Sequence, residues 1–134
     1  MTPSAASRAE GTRLAVACPE LFSDKERLII ARYTAFFLEE KPRVVHVWNA
    51  DHLLAAVAAV LAGVPRVVMA ARSMAPRSRF SFGFESADDV RTEKVLRRLL
   101  EFPAVRLTVN SHAGAADFAD WLHISPENIP VVWN

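Results

Sequence analysis

Arg43-Val44-Val45-His46-Val47-Trp48-Asn49, the run from Asp51 to Ala62, and Arg66-Val67-Val68-Met69-Ala70-Ala71 are three consecutive stretches, and their reading decides the fold. The first and third are short, β-branched and almost continuously apolar. That pattern predicts strands, and for Arg43 to Asn49 a strand covered on both faces, hence parallel. The middle stretch is apolar nearly all round, which predicts a heavily buried helix. Asn49 or Asp51 is placed to cap its start, and Gly63 to stop it. A strand, a helix and a second strand running the same way make a βαβ unit.

The alternation continues on both sides. Upstream, Arg13 to Cys18 is a short apolar run that reads as a strand, and Pro19 breaks it. Ser23-Asp24-Lys25-Glu26 is a capping box, in which hydroxyl and carboxylate each satisfy an orphan amide. The helix it opens runs to about Glu40. Leu28, Ile29, Arg32, Phe36 and Phe37 give it helical spacing, with Ile30, Tyr33 and Leu38 widening the apolar face. Downstream, a loop over 72–85 precedes a helix that starts at Ser86 or Asp88 and reaches about Phe102. Val105 to Val109 reads as a strand, Ser111 caps a helix to about His123, and Ile129 to Trp133 reads as a last strand. The predicted fold is α/β: a Rossmann-like parallel sheet flanked by helices, in three α/β/α layers. Residues 1–12, small and polar, are expected to be disordered, leaving 13–134 as a single domain.

Composition narrows the function classes. The chain has 134 residues, 51% hydrophobic and 23% charged, with a net charge of +1. Such balance argues against a nucleic-acid partner. One cysteine, Cys18, excludes an internal disulfide framework and a Cys-based zinc site. The longest apolar run, Leu53 to Val64, is shorter than the ~20 residues that cross a bilayer. Glu10, Gly11 and Arg13 interrupt the segment where a secretory signal would need its apolar stretch. The expected location is therefore the cytoplasm.

In an open parallel sheet, ligands gather beyond the carboxyl ends of the strands. Trp48 to His52, Arg72-Ser73, Asn110-Ser111-His112 and Asn134 fall there. No Gly-x-Gly-x-x-Gly follows any predicted strand, so a dinucleotide fingerprint and a P-loop are both missing. His46, His52, His112 and His123 show no metal spacing. The residues alone lead to a parallel α/β domain with a polar rim.

Four stretches resemble a known family: Pro42 to Trp48, Leu61-Ala62-Gly63-Val64-Pro65-Arg66-Val67-Val68, Val105 to Ser111, and Trp121 to Asn134. Together they are similar to the N-terminal, acceptor-side domain of GT-B glycosyltransferases of family 4, over roughly residues 40–134. The resemblance implies half of a GT-B architecture. It implies transfer of a sugar, with retention, from a nucleotide-sugar donor to a carbohydrate or lipid-linked acceptor, as in polysaccharide biosynthesis. This segment would supply the acceptor side. A second domain would hold the donor, no separate cofactor is expected, and Asn134 would be the interdomain hinge. The chain departs from the family in two places. Residues 1–18 offer at most one ordinary strand, not a strand with a glycine-rich loop, and the sequence stops at Asn134 where the crossover would continue. The expectation is a domain fragment.

Each candidate residue has two readings. His46 either lines the acceptor side or is a core imidazole. Asn49 either caps a helix or meets an acceptor hydroxyl, and His52 is either near that hydroxyl or solvated. Arg72, with Ser73, suits a phosphate-linked acceptor, because a guanidinium grips phosphate bidentately. Arg77 and Arg79, interleaved with Phe80, Phe82 and Phe84, suit either peripheral contact with the inner face of the membrane or a solvated loop. Asn110 and Ser111 are most simply an N-cap pair that also faces the cleft. Trp48, Trp121 and Trp133 are read as packing residues. No catalytic base is nominated. An exposed sheet edge predicts pairing with a second copy. The alternative is a non-catalytic, receiver-like binding module. Cys18-Pro19-Glu20 and Arg72-Ser73 fit poorly the acidic cluster and the aspartate that a receiver needs. A hydrolase reading lacks its Gly-x-Ser-x-Gly elbow.

Overall fold

The computed structural model describes residues 19–49, 52–76 and 87–133. Among them the order is α1 (Asp24–Glu40), β1 (Val44–Val47), α2 (Leu53–Leu61), β2 (Arg66–Ala71), α3 (Ala87–Leu100), β3 (Val105–Val109) and α4 (His112–Leu122). Single 3-10 turns stand at Pro19–Leu21 and Pro126–Asn128. The predicted strand at 13–18, the stretch 1–12 expected to be disordered, Asp51, the Arg77 and Arg79 loop, and Asn134 lie outside the described residues.

The three strands form one parallel sheet in sequence order, with Val45 beside Val67 and Val67 beside Val105. The architecture is α/β, a parallel sheet flanked by helices, as in a Rossmann-like three-layer fold. Helices α1 and α2 touch, as do α2 and α3, and α3 and α4. That sequence of contacts is what a sheet growing in one direction with crossovers of one hand produces.

The sheet faces are unequally covered among the described residues. The rows Val47-Met69-Leu107 and Ala71-Val109 are buried. The row one step earlier, His46-Val68-Arg106, points to the opposite face and is exposed at both ends and half-buried only in the middle. This corrects the expectation that the first strand is covered on both faces. β1 buries only Val47, and Val44 is 51% exposed. A run of β-branched residues reports strand propensity, but it does not say which face finds a neighbour.

The helix ends follow local chemistry. Ser23 accepts the Glu26 N–H, and the Glu26 carboxylate accepts the Ser23 N–H at 2.7 Å, which completes the capping box on α1. Lys41 closes that helix in the left-handed region, with its N–H on the Phe37 carbonyl, just before Pro42. After α2, Gly63 at φ 72° donates to the Val60 carbonyl and Val64 to that of Ala59. That pair of bonds is a Schellman motif, in which glycine takes a positive φ without a Cβ penalty. α3 ends at Leu100 because Glu101 and Phe102 turn more tightly, bonding to Arg98 and Leu99. The predicted last strand, Ile129 to Trp133, reduces to one parallel bridge between Val131 and Val109. Pro130 has no N–H to lend a ladder. Its carbonyl accepts from Val109, and Val132 donates back to Val109 at 2.7 Å.

The core lies between the sheet and α2, α3 and α4. α2 buries Leu53 and Ala56 through Val60, as its all-round apolarity predicts. Trp121 and Phe118 of α4 meet edge to face at 5.9 Å, each at most 2% exposed. α1 departs from expectation, since only Ile30 of that helix is buried. Leu28, Tyr33, Phe36 and Leu38 remain exposed.

Candidate functional site

Parallel pairing carries the ends of β1, β2 and β3 to one side of the sheet. Continuing the register by one residue sets Trp48 level with Ala70, and Arg72 level with Asn110. The polar residues that follow each strand are thus neighbours in space although they are far apart in the chain.

At this rim Trp48 is 63% exposed and packs against His46, with ring centroids 5.5 Å apart. The Arg72 guanidinium carbon lies 4.9 Å from the centroid of the same Trp48 ring. His46 is exposed on the outer face of β1, so its core-imidazole reading does not hold. The reading of Trp48 as a packing residue also needs correction, for it is the exposed centre of this cluster. A cation over an indole face is attracted by the ring quadrupole. The stack restrains a long side chain that would otherwise sample many rotamers. Among the described residues Arg72 has no hydrogen-bond acceptor, so its N–H groups remain available to an anionic or hydroxylic ligand.

The other candidates sort differently. Ser111 caps α4, accepting the Gly114 N–H at 3.0 Å, so its hydroxyl is engaged. Asn110 is half-buried beside it. Asn49 is not a helix cap: its carbonyl accepts the His52 N–H at 2.9 Å in a turn. α2 starts after His52 with no side-chain cap. His52 and Ser73 are exposed at the same rim.

Sequence reasoning missed two features. The loop after β2 is tied to α4 by Asp117, whose carboxylate accepts the Ala75 N–H at 2.6 Å. No spacing rule connects those two positions, which lie 42 residues apart. The second is an aromatic pair, His112 with Trp133, edge to face at 5.3 Å. Trp133 is 66% exposed, contrary to its packing assignment, whereas Trp121 does pack in the core. The spacing of His46 and Trp48, two apart on a strand, is the local signal that could have paired them. Among the described residues no cluster of three or more His, Cys, Asp or Glu side chains is arranged to hold a metal ion. No described helix is long and apolar enough to cross a membrane.

Comparison with known proteins adds one similarity. Over 97 residues the chain is 30% identical to the Vi polysaccharide biosynthesis protein VipC/TviE of Salmonella typhi. The match covers 72% of this chain and 16% of that protein, so the chain spans only a small part of its relative's length. No protein-family model matches the chain. No solved structure matches it either.

Proposed function

We propose that this domain is the acceptor-side part of a GT-B glycosyltransferase of polysaccharide biosynthesis, moving a sugar from a nucleotide-sugar donor to a carbohydrate or lipid-linked acceptor. The observation that carries this reading is the Arg72 guanidinium held over the exposed Trp48 at the shared end of the strands. The match to a protein named for polysaccharide biosynthesis supports it. So does the resemblance carried by Pro42–Trp48, Leu61–Val68 and Val105–Ser111.

In this reading Arg72 grips a phosphate or diphosphate on the acceptor through paired N–H bonds. Trp48 and His46 fix its orientation, and Asn110 offers an amide to a sugar hydroxyl from the neighbouring strand end. The contribution to catalysis is positional: it holds the attacking hydroxyl where the donor carbon arrives. Donor binding and stabilisation of the leaving diphosphate belong to the second domain, close to Asn134. No resident cofactor is required of this part, and the work is placed at the cytoplasmic face of the membrane.

The test is a titration of the chain with a short-chain prenyl diphosphate sugar, followed by saturation-transfer NMR. Saturable binding is expected, weakened about tenfold or more by Arg72→Ala and by Trp48→Ala, in line with the loss of a charge-assisted contact. A uridine diphosphate sugar should bind weakly and without regard to either substitution. Tight binding of the nucleotide sugar, with the prenyl compound inert, would assign the chain to the donor side and end this reading.

A further inference from the structure

The outward face of α1 is built like one half of a two-fold interface. Ile30 and Leu38 point toward α2, where they line a groove with Val57 and Leu61. At about 100° per residue, the opposite face carries Lys25, Ile29, Arg32, Tyr33, Phe36 and Glu40. Ile29, Arg32, Tyr33 and Phe36 line one shallow depression on that face. Phe36 is 54% exposed and Tyr33 44%. Both rings lean on the half-buried Phe37, at centroid distances of 5.7 and 6.1 Å, so the aromatic surface is ordered before anything docks on it. Such rigid, partly supported aromatics are the type of side chain that anchors interfaces.

The ends of the stripe identify the occupant. Lys25 stands at the N-terminal end and Glu40 at the C-terminal end, both exposed. We infer that a second copy of this chain docks here, its α1 antiparallel to the first, with the two-fold axis passing between Arg32 and Tyr33. That register sets Lys25 against the partner copy's Glu40 position, and Ile29 against its Phe36 position. It also lays Arg32 over the Tyr33 ring position of the other copy, a cation–π contact. The pattern is self-complementary, as an isologous interface requires. Antiparallel helices also oppose their macrodipoles favourably. A helix of 17 residues is about 25 Å long, enough for the whole stripe to engage. A bilayer suits the stripe less well, since Lys25, Arg32 and Glu40 leave it a single net positive charge, not the cluster of cations that holds anionic lipid. This interface is distinct from pairing along the β1 edge and does not depend on the glycosyltransferase reading.

Light scattering coupled to size exclusion, over a concentration series of the 134-residue chain, tests the inference. The mass should rise from 14.8 kDa toward twice that value as concentration increases. Phe36→Glu should weaken dimerisation at least about tenfold, as loss of a central aromatic anchor does. Lys25→Glu and Glu40→Lys should each weaken it, and the double variant Lys25→Glu/Glu40→Lys should restore it. All three positions are exposed, and circular dichroism confirms that each of the four variants is folded. A mass fixed at 14.8 kDa overturns the inference. A dimer untouched by Phe36→Glu overturns it too and moves the contact to another surface, such as the sheet edge. Failure of the double reversal to rescue overturns the antiparallel register.

Discussion

Replacing Glu26 by alanine should remove two separate supports with one cut. One carboxylate oxygen accepts the Ser23 N–H at 2.7 Å and completes the cap of α1. The other lies 2.6 Å from Nη1 of Arg91, on α3. The second contact joins elements 65 residues apart in the chain. A capping interaction contributes about 1 kcal/mol. The ion pair adds at most about 1 kcal/mol, because the Arg91 side chain is 34% exposed and water screens it. Glu26→Ala should therefore cost about 1–2 kcal/mol. For a two-state domain of this size that lowers Tm by roughly 4–7 °C. Glu26→Gln still accepts the Ser23 N–H but carries no charge, so it should lose only about half as much.

The pH dependence has a fixed sign. Glu26 titrates below its ordinary value of 4.5, chiefly because the carboxylate accepts the Ser23 backbone N–H. Arg91 assists, against the opposing effect of burial. A carboxyl depressed on folding contributes stability above its unfolded pKa and loses it as pH falls through the folded one. Thermal melts at neutral pH should separate wild type from Glu26→Gln, and the gap should narrow in acid as the pH falls below 4.5 and the Glu26 carboxylate is protonated. A difference of equal size at neutral and acid pH would refute the electrostatic part of the argument. A Glu26→Ala melt within a degree or so of wild type would refute the capping part as well.

Ser111→Ala should cost about 1 kcal/mol in denaturant unfolding, since Gly114 N–H loses its acceptor. A Cβ on Gly114 would come within 3.2 Å of the Ser111 hydroxyl, so Gly114→Ala offsets its helix-propensity gain by disturbing the cap. In a Ser111→Ala background the same change should stabilise by up to about 1 kcal/mol, because the crowding is gone. Asp117→Ala should speed hydrogen exchange at the Ala75 amide at least about tenfold while leaving exchange in β3 unchanged, because it releases a local contact. Trp121→Ala, at a side chain 2% exposed, should cost about 3–5 kcal/mol by chemical denaturation.

The chain order of residues determined the alternation of strands and helices. Apolar runs such as Arg66–Ala71 and caps such as Ser23 and Ser111 act through the nearest few residues, and that is the range over which sequence patterns report directly. Parallel direction followed too, since each helix must return the chain to the same end of the sheet. Tertiary structure decided which face of each element finds a partner. His46 and Ile30 illustrate this: one apolar-looking strand leaves its imidazole exposed, and one apolar-looking helix buries a single residue. It also decided that Arg72 rests on Trp48, and that Asp117 holds the loop after β2. Those contacts join positions separated by dozens of residues. Their geometry depends on how the elements pack, which no local spacing encodes.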